Sequence, residues 1–195
     1  MSPLVWLAVA LSLSSTIVAG GDCPGAHRNI TMEAACREAC GTATAAAGEP
    51  MYQVCMHALG DDYRAGAVKE AYLFPYDAAW KAALSYELTA GWAQVVLMNG
   101  SLSGNEKAAY GLVAGGSYRE AHAAMEKVTP RLPDLPPDCG LDLGVGDEYR
   151  TALRDVGACR DRLAKLPPSS LLPMVEKDYN LTLLAYLLGK LVGIK

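Results

Sequence analysis

The sequence is poor in the residues that build sheets, with one Phe and three Ile among 195 residues. Strands favour β-branched and aromatic side chains, so this shortage speaks against a β-sandwich or barrel. Charge is also sparse, at 19% of residues, and its balance is -4. A protein that grips nucleic acid through its phosphates needs an excess of cations, which this chain lacks. Histidine is limited to His27, His57 and His122, and none has a catalytic constellation beside it in sequence. Beyond the N-terminus no stretch reaches the roughly 18 uninterrupted apolar residues that a membrane span needs. What the chain has instead is Ala and Leu, together 57 residues, within a hydrophobic content of 51%. Both are strong helix formers, so the composition predicts an all-α fold with enough apolar surface for a core.

The N-terminal residues Leu4 to Leu13 form a short apolar run, followed by Ser14, Ser15 and Thr16 and by the small residues Val18-Ala19-Gly20. This pattern predicts a signal peptide over residues 1–20, cleaved after Ala19, Gly20 or Gly21, although its first residues carry no Lys or Arg. Ser12, Ser14, Ser15 and Thr16 interrupt the stretch and disfavour a membrane anchor. The expected product is a secreted, extracellular protein with a single helical domain over 21–195. All six Cys lie beyond the cleavage point, at 23, 36, 40, 55, 139 and 159. Disulfides are the default fate of thiols in an oxidising compartment. A zinc site from Cys36, Cys40, Cys55 and His57 is the alternative, disfavoured by that compartment and by the lack of paired C-x-x-C spacing.

Helical periodicity divides the remainder. Residues 31–40 and 51–59 read as two short helices of a hairpin spanning 31–60, which Cys40 and Cys55 could staple. Residues 66–98 keep one helical stripe, through Ala71, Ala79, Ala82, Tyr86 and Ala93. Phe74-Pro75-Tyr76 should kink or break it, with Asp77 capping the restart. Ser103 and Glu106 form a capping-box pattern opening the next helix, which Gly111, Gly115 and Gly116 weaken. Asp147 is expected to cap a third long helix, ended by Pro167 and Pro168, and Pro173 to open the last. Four amphipathic helices over 66–195 with modest loops predict an up-down-up-down four-helix bundle behind the N-terminal hairpin.

The motifs for chemistry are weak. Gly100-Ser101-Leu102-Ser103-Gly104 has Leu where a nucleophile elbow needs its serine. Gly144-Val145-Gly146 is a turn signal without the strand a dinucleotide site requires. Asp134, Asp138, Asp142 and Asp147 do not follow calcium-loop spacing. Tyr72, Phe74, Tyr76 and Trp80 are expected to pack at the core and the kink. The expectation is therefore no enzyme, no metal and no cofactor. Sequons stand at Asn29, Asn99 and Asn180. The first two fall at element edges and are the expected glycosylation sites, while the third is inside the last helix and should go unused.

Three segments together resemble the plant invertase and pectin methylesterase inhibitor family. They are Cys40-x14-Cys55 ending in Tyr52-Gln53-Val54-Cys55-Met56-His57-Ala58-Leu59-Gly60, Ala152 to Asp161 with its Cys159-Arg160-Asp161, and Val175 to Thr182 with the helix that follows. The resemblance implies a secreted, disulfide-stapled helical bundle that blocks the substrate cleft of a cell-wall enzyme one to one in the apoplast. It implies a Cys40–Cys55 bond. The family's usual partner for Cys159 is missing, since that position is about Ala114, so Cys139 becomes the substitute and Cys23–Cys36 the remaining pair. Invertase-directed members carry Pro-Lys-Phe where this chain reads Pro133-Asp134-Leu135, so pectin methylesterase is the preferred target and acid invertase the alternative. A lipid carrier is a second class, disfavoured by the sparse Cys. The exposed faces of the second and third bundle helices, including Lys127, Arg154 and Asp155, are the candidate contact.

Overall fold

The structure is a computed structural model, and it describes residues 28–98, 100–132 and 144–195. The signal segment, Cys23, His27, Asn99, Cys139, Asp134, Asp138 and Asp142 lie outside the described residues. The fold is the expected all-α, up-down-up-down four-helix bundle with an N-terminal helical hairpin. The hairpin consists of α1 (Met32–Cys40) and α2 (Met51–Leu59). Thr31 caps α1, its side chain accepting from the Ala34 amide at 3.2 Å. The connection between them is pinned where the Met51 amide donates to the Ala43 carbonyl at 2.9 Å.

The hairpin staple differs from expectation. Cys55 is bonded to Cys36, with Cα atoms 5.6 Å apart, and Cys40 is a buried free thiol. The Cys40–Cys55 and Cys23–Cys36 pairs are therefore both replaced. The reason is helical register. An antiparallel hairpin that aligns Cys36 with Cys55 carries Cys40, one turn nearer the connection, to the level of Met51. The bond also removes Cys36 and Cys55 from any zinc site. Cys159 is likewise a buried free thiol rather than a partner of Cys139. Its sulfur faces the Leu112 carbonyl at 4.0 Å, close to Ala114, and so points into the bundle.

The segment expected to begin a long helix starts instead as a strand. β2 (Val68–Glu70) pairs antiparallel with β1 (Asn29–Thr31), and this small clip ties the entry of the hairpin to the entry of the bundle. The first bundle helix, α3 (Leu73–Met98), then runs for 26 residues without the expected break. It begins at Leu73, so Pro75 falls in the first turn, where no intrahelical amide bond is lost. Asp77 does not cap it but accepts a hydrogen bond from the Tyr63 hydroxyl.

The second bundle helix is split into α4 (Gly104–Ala114) and α5 (Gly116–Val128). The expected Ser103–Glu106 capping box opens α4, with both reciprocal bonds present. Gly115 is extended and Gly116 sits at φ 56, a conformation that favours glycine, so the glycines act as a local break. α6 (Val145–Leu163) starts two residues before Asp147, which lies in its first turn and accepts from Arg150 at 2.6 Å. α7 (Leu171–Leu191) likewise starts before Pro173, which occupies the first turn.

The helices form a ring in which α3 packs on α7, α7 on α6, α6 on α5, and α4 and α5 on α3. This places α6 across the bundle from α3. Both hairpin helices pack against α7. Tyr86, Tyr118, Tyr149, Met125, Leu184 and Leu188 fill the interior and are fully buried. At its centre Asp178 is also fully buried and accepts from the Tyr118 hydroxyl. The Tyr86 hydroxyl and Thr182 Oγ1 are 3.0 Å apart, and Thr182 donates to the Asp178 carbonyl at 2.8 Å.

Candidate functional site

The two expected contact helices present a charged outer face. Lys127, in the last turn of α5, reaches Glu148 of α6 at 3.3 Å. Arg154 holds Asp155 through both carboxylate oxygens, at 2.8 and 3.0 Å. The Arg154 side chain is 68% exposed, whereas that of Asp155 is 9% exposed. Asp155 thus acts as an anchor for the arginine, which keeps unused donors for an outside acceptor. Arg150 lies one turn before Arg154 on the same side of α6, so the ridge continues along the helix. The structure brings Lys127, Arg154 and Asp155 onto neighbouring helices, but each cation engages a different carboxylate.

A second outer face has the opposite character. Along α3, Trp80 is 51% exposed, Leu84 38%, Leu88 64%, Trp92 50%, Val95 47% and Met98 77%. Sequence reasoning followed the inner stripe of this helix and missed the outer one. The available signal was that α3 is apolar on nearly every side, with Asp77, Lys81 and Glu87 as its only charges. A helix apolar all round is expected to be buried on all sides, and this one is not. The aromatic group expected to pack together is divided. Phe74 is buried with its ring 4.9 Å from that of Tyr63, while Trp80 faces outward. Beside the stripe a groove of about 700 Å³ opens between α2, α3 and α7, lined by Val54, Ala58, Leu84, Leu88 and Leu181, with Lys81 and Glu176 among its charged residues.

The buried polar centre is structural. Burial raises the Asp178 carboxyl above its ordinary value, against hydrogen bonding that lowers it. Its Oδ1 has no hydrogen-bond partner, although Ser85 and Thr89 of α3 face the carboxylate. Burial also pushes the Cys40 thiol up to about 11 and the Cys159 thiol to about 12. Neither is a nucleophile at physiological pH, because the thiolate is the reactive form. Among the described residues no cluster of His, Cys, Asp and Glu has the makings of a metal site. Among them, too, no helix is long and apolar enough to cross a membrane.

The sequons divide by environment. Asn29 is exposed on β1. Asn180 is buried, and its side-chain oxygen accepts from the Ala46 amide at 2.8 Å, joining α7 to the hairpin connection.

No protein-family model matches the chain, and no curated protein matches its sequence. Its structure does have solved counterparts. One is the crystal structure of a mutant form of a pectin methylesterase inhibitor from Arabidopsis, with a TM-score of 0.58 and 17% identity, covering 71% of this chain and 88% of that one. Another is a pectin methylesterase inhibitor from Arabidopsis thaliana, with a TM-score of 0.53 and 17% identity, covering 71% of this chain and 87% of that one. Both counterparts are enzyme inhibitors, and the fold of this chain is the helical bundle of the pectin methylesterase inhibitors.

Proposed function

We propose that the protein is a secreted inhibitor of a plant cell-wall carbohydrate-active enzyme, pectin methylesterase, whose substrate cleft it blocks one to one. The observation that carries this reading is the shared fold, which extends over 88% and 87% of two pectin methylesterase inhibitors. The contact is the α5–α6 face. A rigid bundle suits the task, since a surface already ordered loses little entropy on docking. Arg154, held by Asp155, is ready to receive a carboxylate, and Lys127 adds a second cation at the same side of the ring. In the mature protein residues 1–20 are removed and Asn29 and Asn99 carry glycans.

The test is a titration of the purified protein against pectin methylesterase and acid invertase at acidic pH. Stoichiometric loss of methylesterase activity is expected, with invertase untouched. Arg154→Ala should weaken inhibition by about tenfold, as loss of a central charged anchor does. Full activity of both enzymes at micromolar protein would overturn the reading, and inhibition of invertase alone would move the target. Intact mass of the secreted protein checks the cleavage point and the glycans.

A further inference from the structure

Trp80, Leu84, Leu88 and Trp92 succeed one another at four-residue intervals on the outer face of α3. Read from either end, the row is Trp-Leu-Leu-Trp. A row of this spacing is the ridge that helices use to pack on one another. We propose that this face docks a second copy of the chain, α3 against α3 and antiparallel, about a two-fold axis level with Tyr86. That axis brings Trp80 opposite Trp92 of the second copy and Leu84 opposite its Leu88. An isologous interface requires a patch that is complementary to itself, and a palindromic row meets this requirement by construction.

Charge agrees with the pairing. Of the three charged residues on α3, Lys81 is held by Asp62 of its own chain at 2.6 Å and Asp77 accepts from Tyr63. The third, Glu87, falls level with Ser85 of the second copy rather than with its own counterpart. The two copies of Glu87 stand one residue either side of the axis, about 3 Å apart along the helices, and are the one approach of like charges between the two α3 helices. Area agrees as well. From their fractional exposures, the five apolar side chains from Trp80 to Val95 leave on the order of 600 Å² open per copy, against the roughly 800 Å² per partner of a standard stable interface. The groove beside Leu84 and Leu88 adds further apolar surface from Val54, Ala58 and Leu181. The α5–α6 charged face offers no such row, and α6 lies across the ring, so it stays open in the pair.

The experiment is sedimentation equilibrium of the purified protein from low to high micromolar concentration, together with tryptophan emission. Apart from Trp6, the emission reports only Trp80 and Trp92. A mass rising toward twice the monomer, with emission shifting to the blue in step, is expected. Leu88→Glu and Trp92→Ser alter exposed positions and should keep the parent's helical circular dichroism while raising the dissociation constant by about tenfold or more. A monomer at every concentration would overturn the proposal, and so would dimers of either variant as tight as the parent. A mixture of Leu84→Cys and Leu88→Cys proteins should cross-link to each other faster than either does to itself. Cross-links within one variant alone would place the helices in another register and overturn the pairing.

Discussion

The α1–α2 hairpin carries its own covalent bond, Cys36–Cys55, whereas among the described residues the bundle helices are joined without one, by packing, hydrogen bonds and the Lys127–Glu148 ion pair. The difference follows from size. Each hairpin helix has nine residues, too few to be stable in isolation, and the pair relies on α7 for part of its burial. The bundle helices enclose three fully buried tyrosines and a continuous Leu-rich interior, and can leave Cys159 as a thiol. The hairpin therefore behaves as a stapled module docked on a bundle, joined to it by the Asn180–Ala46 bond, the Lys81–Asp62 ion pair and the β1–β2 clip.

The sharpest way to break this contrast is Cys36→Ser. Loss of a bond closing a loop of this size should cost about 3 kcal/mol. Hydrogen exchange should show the amides of residues 32–59 losing protection while those of α5 and α6 keep theirs. Exchange that rises equally throughout would mean that hairpin and bundle form one unit. Within the bundle, Gly146→Ala comes next. A Cβ there would stand 1.6 Å from the Lys195 carbonyl oxygen, which rests on the first turn of α6. The backbone of the last residues must move, at a cost of about 2 kcal/mol, measurable as a lowered melting temperature with the hairpin staple intact.

Asp178→Asn has the opposite sign. Burial raises the folded-state pKa of this carboxyl, so the fold holds its proton more tightly than the unfolded chain does. Its stabilising contribution is complete below the unfolded value and is lost as pH rises through the folded one. An asparagine still accepts from Tyr118 and carries no charge to bury. The variant should therefore gain stability near neutrality, and denaturant melts above about pH 4 should lose part of their pH dependence. An unchanged slope would show that Asp178 is not the group responsible. The smallest effect is expected from Ser103→Ala, which removes the α4 cap at a cost of about 1 kcal/mol and leaves the hairpin unaffected.

Local signals were legible where one residue decides the outcome. Ser103 and Glu106 announce the start of α4 because their reciprocal bonds need only three residues of chain. The inner stripes of α5 and α6, such as Tyr118, Met125, Tyr149 and Val156, are legible because each of those helices has one apolar side. The staple was not, since Cys36 and Cys40 lie one turn apart on the same side of α1. Only the register of two helices selects which of them meets Cys55. Pro75 was misleading because its effect depends on whether the helix begins before or after it. The β1–β2 clip joins residues about 40 positions apart and three residues long, below what alternation can signal. On the candidate site, the charges of Lys127 and Arg154 could be placed from periodicity, but their partners could not. The α3 row was hidden by the apolar side behind it.

The burial of Asn180 sets up a race. Its amide group holds the hairpin connection through Ala46, yet Asn180-Leu181-Thr182 is a sequon that a glycosylating enzyme reads in the unfolded chain. A sugar added there first would occupy the position that Ala46 takes in the fold and keep the hairpin from seating. If the chain is secreted as proposed, the yield of native protein would be set by two rates, docking of the hairpin on α7 and transfer of the glycan. Each molecule that folds first closes that site to modification for good.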